Sequence, residues 1–321
     1  MKKDVVTQSI ILRYNTSGQV LNLCRRVQAD YCTERRNVVK YIIVAESGAD
    51  LSPEMIEKYD IRVAQMHVEI DGENYFDNYL PMDKLLGYYE RTGKVPKTAG
   101  VNPNQYEEIR NRIKEEDPDA VVLFLCYSAK LSVSYQSAVI ADDGTLNCHI
   151  VDTKNVSVGQ AIIVMKTIEM IESQPEIEPE ELVSKIEALV EKTRFSFVPG
   201  NLDYLRAGGR VSNAQYIGAT LLKLTPLIEV IDGFMLSTKK YRGSMTVVVR
   251  NMLKEYFDKF PIDKKQTYFV SAGGDFSASI KEEIKKVIEE QGINFAEWMR
   301  CGCVITSHSG PGGVGIAGVE V

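Results

Sequence analysis

Apolar and polar positions between residues 40 and 193 follow the patterns of strands and helices in turn. Residues 41–44 and 121–125 are short, continuous apolar runs, which are typical of strands buried on both faces of a parallel sheet. Residues 61–70 also indicate a strand, whereas Pro103–Glu116 has the charged, amphipathic pattern of a helix. Because strands and helices alternate, the pattern predicts βαβ units and a mostly parallel sheet with flanking helices.

More strand-like pieces occur in the second part of the chain, after a polar, proline-bearing segment at residues 173–179 and one further helix. The predicted strands of this part cover residues 195–198, 227–231, 234–238, 268–271, 302–307 and 314–321, and the predicted helices cover residues 245–257 and 277–291. We therefore expect an α/β fold with two domains, at residues 40–193 and 194–321. Residues 1–39 are expected to be an N-terminal extension of unknown role.

Composition and charge narrow the classes of function. The 321-residue chain is 44% hydrophobic with a net charge of −6, so it has material for a large core and little attraction for nucleic acid. No apolar run reaches the roughly 18 residues of a membrane span, and the N-terminus lacks a signal-peptide core, so we expect a cytoplasmic protein. The six cysteines form no CxxC pair and no Walker loop occurs, so no metal site or cofactor is predicted.

Residues 201–212, NLDYLRAGGRVS, combine a short helix, a glycine pair and a cation. Gly208 and Gly209 are expected to end the helix, because glycine readily adopts the left-handed conformation that closes helix C-termini. Arg210 follows at once, and its guanidinium suits an anionic group such as a carboxylate or a phosphate. Ser212 is expected to cap the next helix. An ordinary helix–turn–helix junction with a solvated arginine is the alternative interpretation.

Hydroxyl groups follow several predicted strands, at the edge where ligands bind in open parallel sheets. Ser47 follows the first strand, Ser132 follows a later one, and Thr98 lies in a loop that is expected to reach the same crevice. Neutral donors of this kind suit one carboxylate. His308, in the sequence HSGPGG, is one of three histidines, and it fits either an anion site or a packed, glycine-rich turn.

Four segments, at residues 44–48, 128–135, 201–212 and 308–313, resemble the DegV family in their sequences and in their order. Members of that family are bacterial lipid-binding proteins, and some serve as the fatty-acid-binding subunit of a two-component fatty acid kinase. The resemblance extends from about residue 40 to residue 321, and LDYLRAGGRVS and HSGPGG are its most specific parts. It implies a two-domain fold, a bound long-chain fatty acid, and a separate ATP-dependent kinase as a partner.

The resemblance also implies roles for individual residues. It assigns the carboxylate ligands to Ser47, Thr98, Ser132 and the backbone N–H of Val133. Arg210 and His308 would then lie where an acyl phosphate forms, with Arg210 neutralising phosphate charge and His308 donating a hydrogen bond or moving a proton. Ala99 and Val133 replace a serine and a glycine that are usual in the family, which indicates an altered head-group site.

Two other functions stay open from the sequence. A stand-alone hydrolase or acyl/phosphoryl transferase would use Ser132 with His308, although the chain has no G-x-S-x-G motif and no clear third triad member. A lipid carrier or sensor without a kinase would bind lipid and give no acyl phosphate. Residues 217–227 are a candidate lining for an acyl tail, and a plain core helix explains them equally well.

Overall fold

The computed structural model describes residues 38–211 and 224–321. Nearly all of the predicted N-terminal extension lies outside these residues, as do Ser212 and most of the candidate lining segment, residues 217–227. The strands of the described residues are β1 (Tyr41–Glu46), β2 (Arg62–Ala64), β3 (His67–Ile70), β4 (Glu73–Phe76), β5 (Lys97–Ala99), β6 (Val121–Cys126), β7 (Asn147–Asp152), β8 (Thr193–Val198), β9 (Leu224–Ile231), β10 (Phe234–Arg242), β11 (Thr267–Ser271), β12 (Ala296–Arg300) and β13 (Val314–Val319). The α-helices are α1 (Pro53–Lys58), α2 (Met82–Thr92), α3 (Pro103–Glu116), α4 (Ser134–Ala141), α5 (Val158–Ser173), α6 (Pro179–Lys192), α7 (Leu202–Gly208), α8 (Met245–Lys259), α9 (Ala278–Gln291) and α10 (Cys303–Ser309).

Four strands form a parallel sheet in the order β2-β1-β6-β7. All six residues of β6 and five of the six in β1 are buried, as their continuous apolar sequences predict. Helix caps follow the sequence signals, because Ser52 accepts from the Met55 N–H at the start of α1 and Asn102 forms a capping box with Gln105 on α3. The carboxyl ends of β1 and β6 therefore meet at one edge of this sheet.

The prediction of one strand across residues 61–70 is wrong. The chain forms β2 in the parallel sheet and then β3 in a separate antiparallel sheet of order β4-β3-β5. Gln65 and Met66 separate the two strands, and the Met66 N–H donates to Ser47 Oγ at 3.0 Å instead of joining a sheet. This side-chain acceptor lies 19 residues away in the sequence, so local periodicity could not have indicated the break.

The second large sheet has six strands in the order β10-β9-β8-β13-β11-β12. Only the β11–β12 pair is parallel, and the other neighbours are antiparallel. Strands β9 and β10 form a hairpin whose turn residues, Asp232 and Gly233, both have positive φ, as expected for a tight turn at an Asp-Gly sequence. Strands β4, β5 and β12 were not predicted from the sequence.

Residues 302–307, predicted to be a strand, instead lie mostly in helix α10. Val304 and Ile305 are β-branched and suggest a strand by composition. Carboxylates from distant parts of the chain stabilise the helix instead, because Asp50 accepts from the Gly302 N–H at 2.7 Å and Asp77 accepts from the Val304 N–H at 2.8 Å. Tertiary capping thus outweighs local preference here.

Helix α5 lies in the core and contacts strands of both large sheets. It is apolar around most of its circumference, and residues 158–165 are all buried. One hydrophobic cluster consequently includes Leu123 of β6, Ile163 of α5 and Ala317 of β13. The predicted domain boundary near residue 193 coincides with the first residue of β8, and the division into two domains stays a prediction. Within the described ranges, no helix combines the length and the apolar character needed to span a bilayer.

Candidate functional site

Thr98 and His308 come together although 210 residues separate them in the sequence. Thr98 lies at the centre of the short strand β5, and His308 lies in the last turn of α10. Thr98 Oγ1 and His308 Nε2 are 2.8 Å apart and share a hydrogen bond. The structure therefore places two predicted site residues in direct contact.

The loop between β6 and α4 brings serine hydroxyls to the same place. Ser132 Oγ lies 2.9 Å from Ser134 Oγ, and it accepts a hydrogen bond from the Ser134 N–H at 3.2 Å. Ser134 Oγ in turn accepts from the Val101 N–H at 3.1 Å, which ties this loop to the segment after β5. Val133 directly precedes α4, and the residue is 65% exposed.

Arg210 follows the end of α7, as the glycine pair predicts. Gly209 closes that helix in the left-handed conformation, with φ of 64°. Gly208 approaches His308 closely, because a β-carbon at this position would lie 2.4 Å from Nδ1 of the imidazole. The Arg210 guanidinium donates to the Gly208 carbonyl at 2.6 Å, so one short turn holds both the cation and the histidine.

These side chains line a single cavity, here called the polar pocket. Its polar members are Thr98, Tyr127, Ser132, Arg210 and His308, and its apolar and small members are Met66, Ala99, Gly100, Leu131, Met235 and Val304. Four of the six residues predicted from the sequence are therefore grouped in one place. The remaining two, Ser47 and Val133, do not line the polar pocket. Ser47 accepts a hydrogen bond from the N–H of Met66, which does line it.

A second cavity adjoins the polar pocket and is almost entirely apolar; we call it the apolar slot. It is lined by Tyr127, Val156, Ser157, Phe195, Phe197, Met235, Val270, Ala272, Cys301, Ile305, His308, Ser309, Gly313, Val314 and Gly315. Tyr127, Met235 and His308 line both cavities, so the slot begins where the polar pocket ends. Five of these fifteen residues come from the neighbouring strands β8, β11 and β13, and the described part of the candidate segment 217–227 does not contribute.

Tyr127 was not predicted as a site residue, although it directly follows β6 at the binding edge of the parallel sheet. Its N–H donates to Glu46 Oε2 at 2.9 Å. Glu46 is buried and also accepts from Tyr106 Oη at 2.7 Å and from Gln160 Nε2 at 2.7 Å. Burial raises the pKa of Glu46, and these donors oppose that rise. Glu46 therefore supports the site from behind and does not line either cavity.

Two buried carboxylates hold the other end of α10. Asp77 is 1% exposed. Burial raises the pKa of Asp77, and it raises the pKa of Asp50 to about 8. Because both carboxylates accept backbone N–H groups at the helix start, they fix the direction in which α10 presents His308.

His308 is a neutral imidazole near pH 7. Burial lowers its pKa to about 4, and the positive charge of Arg210 acts in the same direction. Its Nδ1 has no hydrogen-bond partner within the described ranges. The glycines of HSGPGG do not offer their N–H groups to an anion, since those of Gly310 and Gly312 donate to the carbonyls of Thr306 and Ala272 at 2.9 Å.

The family model whose description reads "Uncharacterised protein, DegV family" matches residues 40–320 of the chain. The chain belongs to the DegV family. This DegV chain is 30% identical over 275 residues to a DegV domain-containing protein of Clostridium perfringens, which covers 85% of this chain and 95% of that one. It is also 30% identical over 290 residues to a Thermotoga maritima protein named fatty acid-binding protein, with 88% and 98% of the two chains covered.

Solved DegV structures have the same fold. A Thermotoga maritima protein whose structure is described as revealing a fatty acid binding function is 27% identical, with a TM-score of 0.73 and coverage of 88% of this chain and 100% of that one. A DegV lipid-binding protein from the same species gives 27% identity and a TM-score of 0.74, over 88% and 99% of the two chains. The predicted α/β fold, with a parallel sheet and a separate C-terminal α/β region, is thus confirmed.

Proposed function

We propose that this DegV protein binds a long-chain fatty acid and presents its carboxylate to a separate ATP-dependent kinase. The observation that carries the proposal is that the polar pocket and the apolar slot adjoin and share the lining residues Tyr127, Met235 and His308. A fatty acid has the same division, with one anionic end and a long apolar tail. Relatives described as fatty-acid-binding, at 27% and 30% identity, support this choice of ligand.

The carboxylate would be held by neutral donors. Thr98 and Ser132 supply hydroxyls, and we assign the N–H of Val133 to the same carboxylate. Ser47 acts through its hydrogen bond to the Met66 N–H, since Met66 lines the polar pocket. Arg210 lies at the mouth as the charged member of this group, and its exposed guanidinium suits a second, more highly charged anion.

The tail would occupy the apolar slot. Burying a methylene group contributes about 0.8 kcal/mol, so a sixteen-carbon chain would contribute roughly 10 kcal/mol before the costs of association. The slot holds only about 30 Å³ of free space for water-sized molecules, so its lining side chains must move apart to admit a chain. Met235 is suited to this movement because its unbranched side chain readily changes rotamer.

The kinase step assigns separate roles to Arg210 and His308. Transfer of a phosphoryl group to the carboxylate concentrates negative charge at the pocket mouth, which the Arg210 guanidinium would stabilise. His308 would donate a hydrogen bond to the acyl oxygen from Nε2, in place of its present bond to Thr98. A neutral imidazole suits this role, because it donates without adding a charge that would retain the product.

The rival hydrolase receives less support from the geometry. His308 Nε2 pairs with Thr98, while Ser132 Oγ pairs with Ser134, so nucleophile and base are not hydrogen-bonded to each other. His308 Nδ1 has no partner among the described residues, so the group that would orient a catalytic histidine is not found in that part of the chain. A carrier or sensor without a kinase would differ from the proposed function only in the absence of acyl phosphate.

Native mass spectrometry of the purified full chain, followed by solvent extraction, tests the binding step. We expect one co-purified fatty acid per chain, or uptake of one oleate or palmitate by the delipidated protein. The absence of both contradicts the proposal. The kinase step is tested with a fatty acid kinase and ATP, trapping acyl phosphate with hydroxylamine. Arg210→Gln should abolish trapping and spare lipid binding, whereas Arg91→Gln, which removes a surface pair with Asp71, should change neither.

A further inference from the structure

Tyr127 lines both cavities and carries an unused hydroxyl. The residue is 6% exposed and lines both the polar pocket and the apolar slot. Several other buried tyrosines have partners for their hydroxyls, such as Tyr106 with Glu46 at 2.7 Å and Tyr256 with the Arg194 carbonyl at 2.9 Å. The Tyr127 hydroxyl has no hydrogen-bond partner in the part of the chain that the structure describes. It is therefore a donor that faces the ligand cavities.

Ser157 supplies a second hydroxyl to the apolar slot. It is completely buried, and it adopts φ of 51° and ψ of −136°, a conformation that is strained for a residue other than glycine. Its N–H donates to the Gly48 carbonyl at 2.9 Å, and its Oγ donates to Asp50 Oδ2 at 2.5 Å. The surrounding structure thus holds this side chain firmly, and a serine oxygen that donates once keeps its lone pairs for accepting.

The position of Ser157 along the slot follows from α10. Ile305 and His308 line the slot from α10, and Cys301 lines it from two residues before that helix, so the slot runs roughly 10 Å from His308 to Cys301. The Cys301 thiol lies beside Ser157 and Asp50, at the far end of this distance. An extended chain advances about 1.2 Å per bond, so a ligand whose carboxylate is near His308 reaches Ser157 after about eight bonds.

We propose that the apolar slot recognises a fatty acid carrying a hydroxyl group near the middle of its chain. This inference rests on the proposed fatty-acid binding and specifies the class of ligand. The Tyr127 ring packs against Gly48, whose carbonyl accepts from the Ser157 N–H, so Tyr127 and Ser157 are neighbours. A ligand hydroxyl beside both can accept from Tyr127 and donate to Ser157 Oγ, which neither a methylene nor a double bond can do. An unsubstituted chain instead covers the Tyr127 hydroxyl without pairing it, which is unfavourable for a buried donor.

The test compares four ligands on the delipidated full chain by displacement of a fluorescent fatty acid. The ligands are hexadecanoic acid and its isomers with a hydroxyl next to the carboxylate, at mid-chain, or at the methyl end. The mid-chain isomer is expected to bind about tenfold more tightly than hexadecanoic acid, because two net hydrogen bonds are gained. Tyr127→Phe and Ser157→Ala should each bring that ratio close to one, whereas Tyr59→Phe, a change remote from the slot, should leave it unchanged.

Equal binding of all four ligands, or a preference for either terminal isomer, overturns the inference and leaves fatty-acid binding intact. Failure of every ligand to bind instead contradicts the proposed function, and this inference with it. If Ser157→Ala does not fold, the ratio in Tyr127→Phe decides alone, since removing one hydroxyl from a folded tyrosine leaves the ring packing in place. A ratio of about ten that persists in Tyr127→Phe also overturns the assignment.

Discussion

Thr98 Oγ1 and His308 Nε2 lie 2.8 Å apart, and this contact joins a three-stranded sheet to the last turn of a helix formed 210 residues later. Neither residue is held by this bond alone. Strand β3 fixes the backbone of β5, while Asp50 and Asp77 fix the start of α10. The polar pocket is consequently assembled from rigid elements, which the proposed function requires because a carboxylate would be held there at a defined distance from a kinase.

Replacing Thr98 with valine tests the role of this contact in ligand binding. Valine keeps the β-branched shape that suits a strand, but it removes a donor to the carboxylate and the partner of His308. We expect fatty-acid affinity to fall about tenfold, measured by displacement titration. Thr145→Val, at an exposed turn where Thr145 pairs with Asp143, is the control. Equal affinity of the two variants would show that Thr98 does not contact the ligand.

Gly208 and Gly209 offer a matched pair of substitutions. A β-carbon at position 208 would lie 2.4 Å from His308 Nδ1, whereas one at position 209 meets nothing within 4 Å. Gly208→Ala should therefore displace the imidazole and weaken fatty-acid binding about tenfold without unfolding α7, since alanine favours helix. Gly209→Ala should cost about 1 kcal/mol of stability, because φ is 64°, and spare binding. The reverse pattern would contradict the placement of His308.

The parts of the fold that the sequence predicts correctly are those fixed by local burial. Strands β1 and β6 are recognisable because a strand covered on both faces needs a continuous apolar run. Helix α10 was predicted as a strand because its stabilising acceptors lie far away, with Asp77 227 positions before Val304 in the sequence. The hydrophobic periodicity of a segment carries no information on a hydrogen-bond partner so far away. A helix that depends on such a partner, as α10 does, is therefore misassigned from its own sequence.

The residues of the candidate site also divide into those that local sequence indicates and those that only the folded structure brings together. Thr98, Ser132, Arg210 and His308 were selected from motifs, and the structure gathers them in the polar pocket. Tyr127 was missed because it extends an apolar run and so resembles the core, although its place after β6 was a usable signal. The apolar slot could not be located, since β8, β11 and β13 become neighbours only through the order of the six-stranded sheet.

Asp77 is expected to contribute to stability through the start of α10. Asp77→Ala leaves the buried Val304 N–H unpaired and should lower the free energy of unfolding by about 2 kcal/mol. Asp77→Asn keeps an oxygen acceptor and should cost less, because the raised pKa shows that the site already favours a neutral group. Urea denaturation measures both variants, with the exposed Asp83→Ala as the control. Equal losses in the alanine and asparagine variants would mean that the acceptor oxygen does not matter.

His308 should make the protein less stable in mild acid. Its pKa is about 4 in the folded chain, whereas an unfolded histidine titrates near about 6.5, so the unfolded state binds a proton first as the pH falls. The contribution of neutral His308 to the free energy of unfolding is therefore fully present above about pH 6.5. It is lost progressively toward pH 4, by about 3 kcal/mol in all.

The buried carboxylates act in the opposite direction. Asp50 has a folded pKa of about 8, above that of an unfolded aspartate, so its ionisation weakens the folded state as the pH rises between these values. The effect of His308 is isolated by comparison with His308→Gln, in which the carboxylates are unchanged. Urea midpoints between pH 4 and 7 should fall less steeply toward acid in the glutamine variant than in the parent. Parallel curves would indicate that His308 is already accessible to protons in the folded protein.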